Sequence, residues 1–489
     1  MARGWEVRRS VTTIVFCLRP CGKSVMNCHD QRAADETSVH APPPDVAPPS
    51  FTHNEITKLM TTNLPRFHDS TISSNTRWAI SLLLLMTITG KSSAQETDAP
   101  TKVVPFADDV AFMESHTDLL ILRQGDAAIA VAPAYQGRVM TSTFDQKNGP
   151  SFGWINRPVI EKGLLSDEER AGRLEEHIYI FGGEERFWLG PEGGQFAIFF
   201  KPGSKFEFED WTTPPAIDTE AFRVVENSED TASFEHTAEL VNFSGTQFDV
   251  GIHRTVKMLG RDAATSLVGG DLADELRFVG YETDNRITNR GEDAWTPEKG
   301  LLSIWMLGMY NPSPNTTVVI PFKAGDEAEL GPKVNDTYFG KVPAEYLKVE
   351  EDVLFFKGDG TRRGKIGISP ARSKGIAGSY DADGQVLTIL TYNVQDAPNG
   401  FVNSMWEHQD DPYSGDVVNS YNDGSPAPGE PPLGPFYELE SSSPAAALQP
   451  GETMKHVQRT WHIQGPESQL DPIAQRLLGV SLAEIRDAF

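Results

Sequence analysis

Cysteine is almost missing from this chain. Its 489 residues hold three, Cys17, Cys21 and Cys28, in a C-x3-C-x6-C spacing that matches no strong metal pattern. No Cys follows Cys28, so neither disulfides nor thiol chemistry can operate in the rest of the chain. Positive charge is scarce as well: 43 Lys and Arg stand against 69 Asp and Glu, a net charge of −26. From Gln95 onward the imbalance is 33 against 62, or −29. Such a surface repels nucleic acid and anionic membranes, and leaves neutral ligands such as sugars, or cations. The sequence also lacks a phosphate loop, a Gly-x-Ser-x-Gly elbow, a His/Cys zinc pattern and a fixed-period repeat of the propeller type.

What the N-terminal part holds is targeting chemistry. Residues 1–59 include a polar, Pro-rich stretch (APPPDVAPPS at 41–50) without periodicity, which predicts disorder. Residues 60–94 read as a secretory signal peptide. Arg77 precedes a short apolar core, WAISLLLLMTIT, and small residues lead to Ala94. That core is too short for a stable membrane span, and no Cys follows it to carry a lipid anchor. The expectation is a translation start at Met60, with 1–59 an over-extended start, and a mature chain from about Gln95. Its expected location is periplasmic or secreted, with no membrane contact in the mature form.

From Asp118 the pattern is short strand, turn, short strand. DLLILRQG, AAIAVAPAY and GRVMTSTFD come first. AFRVVE, TASFEHTAELV and TQFDVGIHRTVKML follow, the last two joined by a turn at Asn242–Gly245. ELRFVGYETDNRITN, GLLSIWMLGMY, TTVVIPF, VLFFKG, KIGISP and the hairpin SKGIAGSYDADGQVLTILTY continue the series, and FYELESS and KHVQRTWHI close it. Without helical stripes between them, regular short strands predict an all-β sandwich. Only the C-terminus reads as helical: a short helix opening at Asp471-Pro472 and ending near Gly479, then a capping box at Ser481-x-x-Glu484.

Residues 177–211 are the densest stretch. His177–Phe181 reads as a strand, Gly182-Gly183 breaks it, and Phe187–Leu189 resumes. Paired glycines let the backbone bend or approach a ligand closely. The bend is expected to bring Glu184, Glu185, Arg186, Trp188 and Glu192 to one neighbourhood. Carboxylates and Arg bond sugar hydroxyls, and aromatic faces pack on the C–H side of a ring. A β-bulge with a surface ion pair is the plainer alternative. Residues 406–436, rich in Pro, Gly and Asp, read as an ordered loop covering a site. Asp410, Asp411, Asp416 and Asp423 lack EF-hand spacing and read as turn formers, so no metal and no cofactor are expected.

One stretch carries a resemblance. Tyr437-Glu-Leu-Glu-Ser-Ser-Ser-Pro, followed by Leu448-Gln-Pro-Gly-Glu452 and a strand ending Thr460-Trp-His, resembles the last strands of the galactose mutarotase-like superfamily, which includes aldose 1-epimerases. GRVMTSTFD, Gly182-Gly183 and RITNRGEDAW resemble its early and central strands. FGGEERFWLGPEGGQFAIFF and PAIDTEAFRVV look closer still to a secreted bacterial family of unknown function. The resemblance implies a mutarotase-like β-supersandwich over 95–465, followed by a helical segment at 466–489.

In aldose 1-epimerases a Glu and a His act at opposite ends of the bond system that opens the sugar. The Leu-Glu motif carries that Glu onto Glu440, with Glu438 on the same strand face. The His is not matched. Gly300–Gly308 contains none, and Phe181 precedes Gly182 where another stands in the family. His177, His236, His253 and His408 are the candidates to replace it through space. The candidate catalytic residues are therefore Glu440, Glu438 and His408. The candidate substrate-binding residues are Glu184, Arg186, Trp188, Trp305, Trp406 and His177, with Trp211 a further aromatic candidate. The expected function is extracytoplasmic carbohydrate recognition, extended by acid–base chemistry at an anomeric or glycosidic centre. A non-catalytic glycan-binding accessory protein and a structural envelope protein remain open, as does the oligomeric state.

Overall fold

The structure is a computed structural model and describes residues 103–426 and 429–489. The expected extension, signal peptide and cysteines lie outside the described residues.

Eighteen strands form among the described residues. β1 (Leu120–Gln124), β2 (Ala127–Ala132) and β3 (Arg138–Thr143) make a separate three-stranded antiparallel sheet. β4 (Arg186–Gly190), β5 (Arg223–Asn227), β6 (Thr231–Val241), β7 (Gln247–Met258), β8 (Arg277–Asn289) and β9 (Ser303–Tyr310) follow. Then come β10 (Thr316–Pro321), β11 (Leu347–Val349), β12 (Val353–Lys357), β13 (Gly364–Ile368), β14 (Ile376–Asp381) and β15 (Val386–Tyr392). β16 (Val418–Asn422), β17 (Tyr437–Ser442) and β18 (Thr453–Gln464) complete the set. Ten strands join in the order β11-β12-β10-β14-β15-β18-β8-β7-β6-β5, and five in the order β13-β16-β17-β9-β4. This is the all-β sandwich expected from the alternation.

Alternation also decides which face each strand buries. On β7 every even-numbered residue is buried and every odd-numbered one is exposed or half-buried; apart from Arg254, the buried ones are Phe248, Val250, Ile252, Val256 and Met258. These side chains meet Phe187, Leu189 and Met306 of the smaller sheet in one apolar layer. A second layer joins Tyr437 and Leu439 to Val318, Ala377 and Leu390. The outer face of the large sheet near β14, β15 and β18 is covered by helices Arg261–Val268, Glu467–Leu478 and Leu482–Arg486. Leu470, Ile473, Leu478 and Ile485 pack there against Leu387, Ile389, Trp461 and Ile463. β18, the last strand, lies between β15 and β8 and pairs with β8 from Thr453↔Thr288 to Gln464↔Arg277. Its Trp461 ring lies flat on Gly280, where a Cβ would sit 2.1 Å from the indole.

Three local expectations are corrected. His177–Phe181 forms no strand, although Ile178–Phe181 is buried. Residues 406–436 are not one loop, because Val418–Asn422 is the fully buried strand β16 between β13 and β17. Helices also occur away from the C-terminus, at Phe106–Glu114 and Arg261–Val268. Each is short and buries only two or three side chains, too few for a visible stripe. At the C-terminus the helix starts at Glu467, earlier than expected, with Pro472 inside it. It stops at the left-handed Gly479, and the Ser481/Glu484 capping box is present.

Candidate functional site: a charged and aromatic cavity on the small sheet

The inner face of the small sheet is buried against the large one, so its other face is the one left for a ligand. Register places the same parity from each strand on that face: Arg186, Trp188 and Gly190 of β4, and Ser303, Trp305, Leu307 and Met309 of β9. Glu438, Glu440 and Ser442 of β17, Asn419 and Tyr421 of β16, and Lys365 of β13 continue it. With Glu440 excepted, all of these line one cavity of about 610 Å³, a volume in the range of small-molecule sites. Loops add Glu192, Trp211, Arg363, Trp406, Asp416 and Asp423 to the wall.

Two ion pairs stand side by side in it. Arg186 Nη2 donates to Glu438 Oε1 at 2.7 Å, and Lys365 Nζ donates to Glu440 Oε2 at 2.8 Å. Trp305 Nε1 donates to the same Glu440 oxygen at 2.9 Å. The Arg186 guanidinium lies 4.7 Å from the Trp188 ring centre and Lys365 Nζ 4.8 Å from that of Trp305, so both cations rest on indole faces. Trp188 and Trp305 meet edge to face at 5.6 Å. Burial pushes the Glu438 carboxyl up to about 8, with Arg186 opposing and Glu440 adding to the rise. Burial likewise pushes Glu192 up to about 7, with Lys365 opposing. Asp416 and Asp423 are also raised by burial; hydrogen bonds from Tyr338 and from the Gly434 N–H oppose the shifts.

Arg186 Nε, Trp188 Nε1 and Ser303 Oγ are buried on this wall without a hydrogen-bond partner among the described residues. Buried polar atoms are nearly always paired, so these groups leave hydrogen-bonding capacity on the cavity wall. Among the described residues no group of His, Cys, Asp and Glu is arranged to hold a metal ion.

The structure divides the expected site residues. Arg186, Trp188, Trp305, Trp406, Trp211 and Glu438 line the cavity together. Glu440 is fully buried, and its Oε2 is taken by Lys365 and Trp305, which do line it. Glu184 is elsewhere. It lies between the sheets, where Oε1 accepts from Ser142 at 2.7 Å and sits 2.9 Å from His462 Nε2. Glu185 is also inside, with Arg254 at 2.9 Å and Gln458 at 2.8 Å. Strand alternation sends Glu185 opposite to Arg186, so the segment splits its charges between two layers. The bend itself is real: Gly182 and Gly183 have φ of 81° and 113°, and a Cβ on Gly182 would lie 2.3 Å from the Trp154 carbonyl.

His408 is exposed, edge-on to Phe206 and Phe243, and does not line the cavity. His177 stands behind the wall, its Nδ1 2.6 Å from the Trp211 carbonyl oxygen. His236 and His253 lie in a separate groove on the large sheet. No described His therefore lines the cavity. Sequence reasoning missed Lys365, Arg363 and Asn419. Lys365 alternates with apolar residues in KIGISP, which marks a strand face without saying what covers it.

A candidate aldose 1-epimerase from Escherichia coli K12 is 12% identical, matched over 71% of this chain and 99% of its own, with a TM-score of 0.40. A Synechocystis sp. PCC 6803 protein is 12% identical over 72% of this chain and 96% of its own, at 0.42. A galactose mutarotase-like protein from Lactobacillus casei ATCC 334 is 10% identical over 71% and 100%, at 0.38. No curated protein matches the sequence. The model of a family of unknown function, DUF6786, matches residues 104–489, and the chain belongs to that family.

Proposed function

We propose that the cavity on the small sheet recognises a carbohydrate outside the cytoplasm. The observation that carries this reading is the pair of ion pairs, Arg186–Glu438 and Lys365–Glu440, set against Trp188 and Trp305 in one concave wall. Charged groups already fixed by their partners offer donors and acceptors to hydroxyls at little further ordering cost. The indoles supply flat apolar surface for the C–H face of a sugar ring. Because no described His lines the cavity, recognition is better supported than the Glu/His pairing of aldose 1-epimerases. A second reading, acid–base chemistry on the bound sugar, is favoured by Glu438. Burial favours the protonated form of this carboxyl against the pull of Arg186, and a carboxyl so balanced can donate its proton.

A glycan array probed with the purified protein tests recognition, followed by mutarotation and hydrolysis assays on the sugars that bind. Binding that Arg186→Ala abolishes is the expected result; an array without a single carbohydrate signal would overturn the reading. Export is tested by mass spectrometry of the native protein, which is expected to begin near Gln95. An intact chain starting at Met1 would refute it.

A further inference from the structure

The cavity is large for a single sugar, and its two ends are alike in one respect. Its lining comes from all five strands of the small sheet, β13 to β4. Four interstrand spacings of about 4.8 Å make a floor about 19 Å wide. Along β9 the lining runs from Ser303 to Met309, about 20 Å of extended chain. One hexopyranose covers only about one interstrand spacing in either direction.

Four large apolar side chains at the cavity are exposed: Leu174 at 38%, Phe208 at 45%, Phe339 at 47% and Leu433 at 41%. The two phenylalanines belong to opposite edges. Phe339 meets Tyr421 of β16 edge-on at 5.9 Å and carries the Arg363 guanidinium 4.1 Å from its ring centre. Arg363 Nε has no partner among the described residues. Phe208 stacks on Trp211, which stacks in turn on Phe199 and Trp406, and Phe199 packs on Trp188 of β4. Glu192 completes that end. The ion pairs lie between. A ring held by Arg186 and Glu438 cannot also touch both Phe208 and Phe339.

We infer that the site takes an oligosaccharide of about three sugar residues laid across the small sheet, with its central ring over the two ion pairs and its outer rings on Phe208 and Phe339. This rests on the carbohydrate reading above and goes beyond it in ligand length and direction. Each end pairs an aromatic face with a charged group, Glu192 beside the Trp211–Trp406 stack and Arg363 on Phe339, so each outer ring finds both an apolar face and a hydroxyl partner.

Intrinsic tryptophan fluorescence of the full chain supplies the test, because Trp188, Trp211, Trp305 and Trp406 all line the cavity. The probes are the mono- to tetrasaccharide series of glucose, galactose, mannose and xylose. Affinity is expected to rise by about tenfold or more from mono- to trisaccharide within a binding series, then to level off. Phe208→Ala and Phe339→Ala change exposed side chains, and each is expected to remove a large part of that gain with the melting temperature unchanged. Equal affinity for mono- and trisaccharide overturns the inference and leaves the carbohydrate reading standing. A gain that survives both substitutions overturns the assigned direction. Absence of binding at every length overturns the carbohydrate reading itself, and the inference with it.

Discussion

Replacing Arg186 by Met keeps length and apolar stem and removes the charge. Its partner Glu438 lies 2.7 Å away, and both side chains are 6% exposed. The lost charge-assisted hydrogen bond costs about 1.5–3 kcal/mol, and the lost contact with the Trp188 face about 0.5–1 kcal/mol. Breaking a buried ion pair usually costs about 3–5 kcal/mol, because the remaining charge is stranded. Glu438 has a way out. With its carboxyl pushed up to about 8, it is protonated at pH 6 whether or not Arg186 is present. At pH 9 the wild-type carboxylate is ionised and paired, while in the variant it keeps its proton. The wild type therefore gains about 1.4 kcal/mol for each pH unit above its pKa that the variant does not. Urea denaturation should show Arg186→Met losing about 2–4 kcal/mol at pH 6 and about 1.4 kcal/mol more at pH 9. In a Glu438→Gln background the extra loss at pH 9 should vanish. Equal losses at both pH values, unaffected by Glu438→Gln, would refute the protonation argument.

Three further outcomes are expected. Gly182→Ala places a Cβ 2.3 Å from a backbone carbonyl at φ 81°, and should cost about 2–4 kcal/mol in thermal or urea melts; an unchanged melt would show that the bend is not fixed. Glu440→Gln weakens the hold on Lys365 and should lower sugar affinity about tenfold by titration, whereas wild-type affinity would show that Lys365 needs no anchor. Burial raises Glu192 and Asp218 to about 7 and Glu438 to about 8, so the folded chain keeps protons that the unfolded chain releases near pH 4. The stability these groups contribute is full below that pH and is lost as pH rises through 7 to 8. Melting temperature should fall between pH 5 and 8.5, and Glu192→Gln with Glu438→Gln should flatten the fall; a rise over that interval would contradict the sign.

The strands were legible because period-two alternation is a local property. β6, β7, β8 and β18, each of eleven residues or more, carry it over much of their length, and the Asn242–Gly245 turn joins β6 to β7 as read. β16 was hidden because Val418–Asn422 is short and lies among Pro, Gly and Asp, whose turn signals dominate any window around it. That Arg186, Trp188 and Glu438 share one cavity wall was legible because charge and aromatics interrupt apolar strands. The same signal misplaced Glu184 and Glu185. Their companions, Arg254, Gln458 and His462, stand in distant strands that read as ordinary alternation. Only the packing of two sheets shows that this layer is a sealed polar core, and that Lys365 reaches the face it does.

β18 has a consequence for how the chain is made. It is the last strand, yet it occupies the middle of the ten-stranded sheet, between β15 and β8, which end about 60 and 165 residues before it begins. Until it emerges from the ribosome, β8 and β15 each present an unpaired inner edge, and the halves of the large sheet have nothing to join them. Long-range closure of this kind is slow, because the loop entropy is spent before the contacts form. A nascent chain held open to its final segments stays threadable late in synthesis, and it stays exposed to edge-to-edge association for as long.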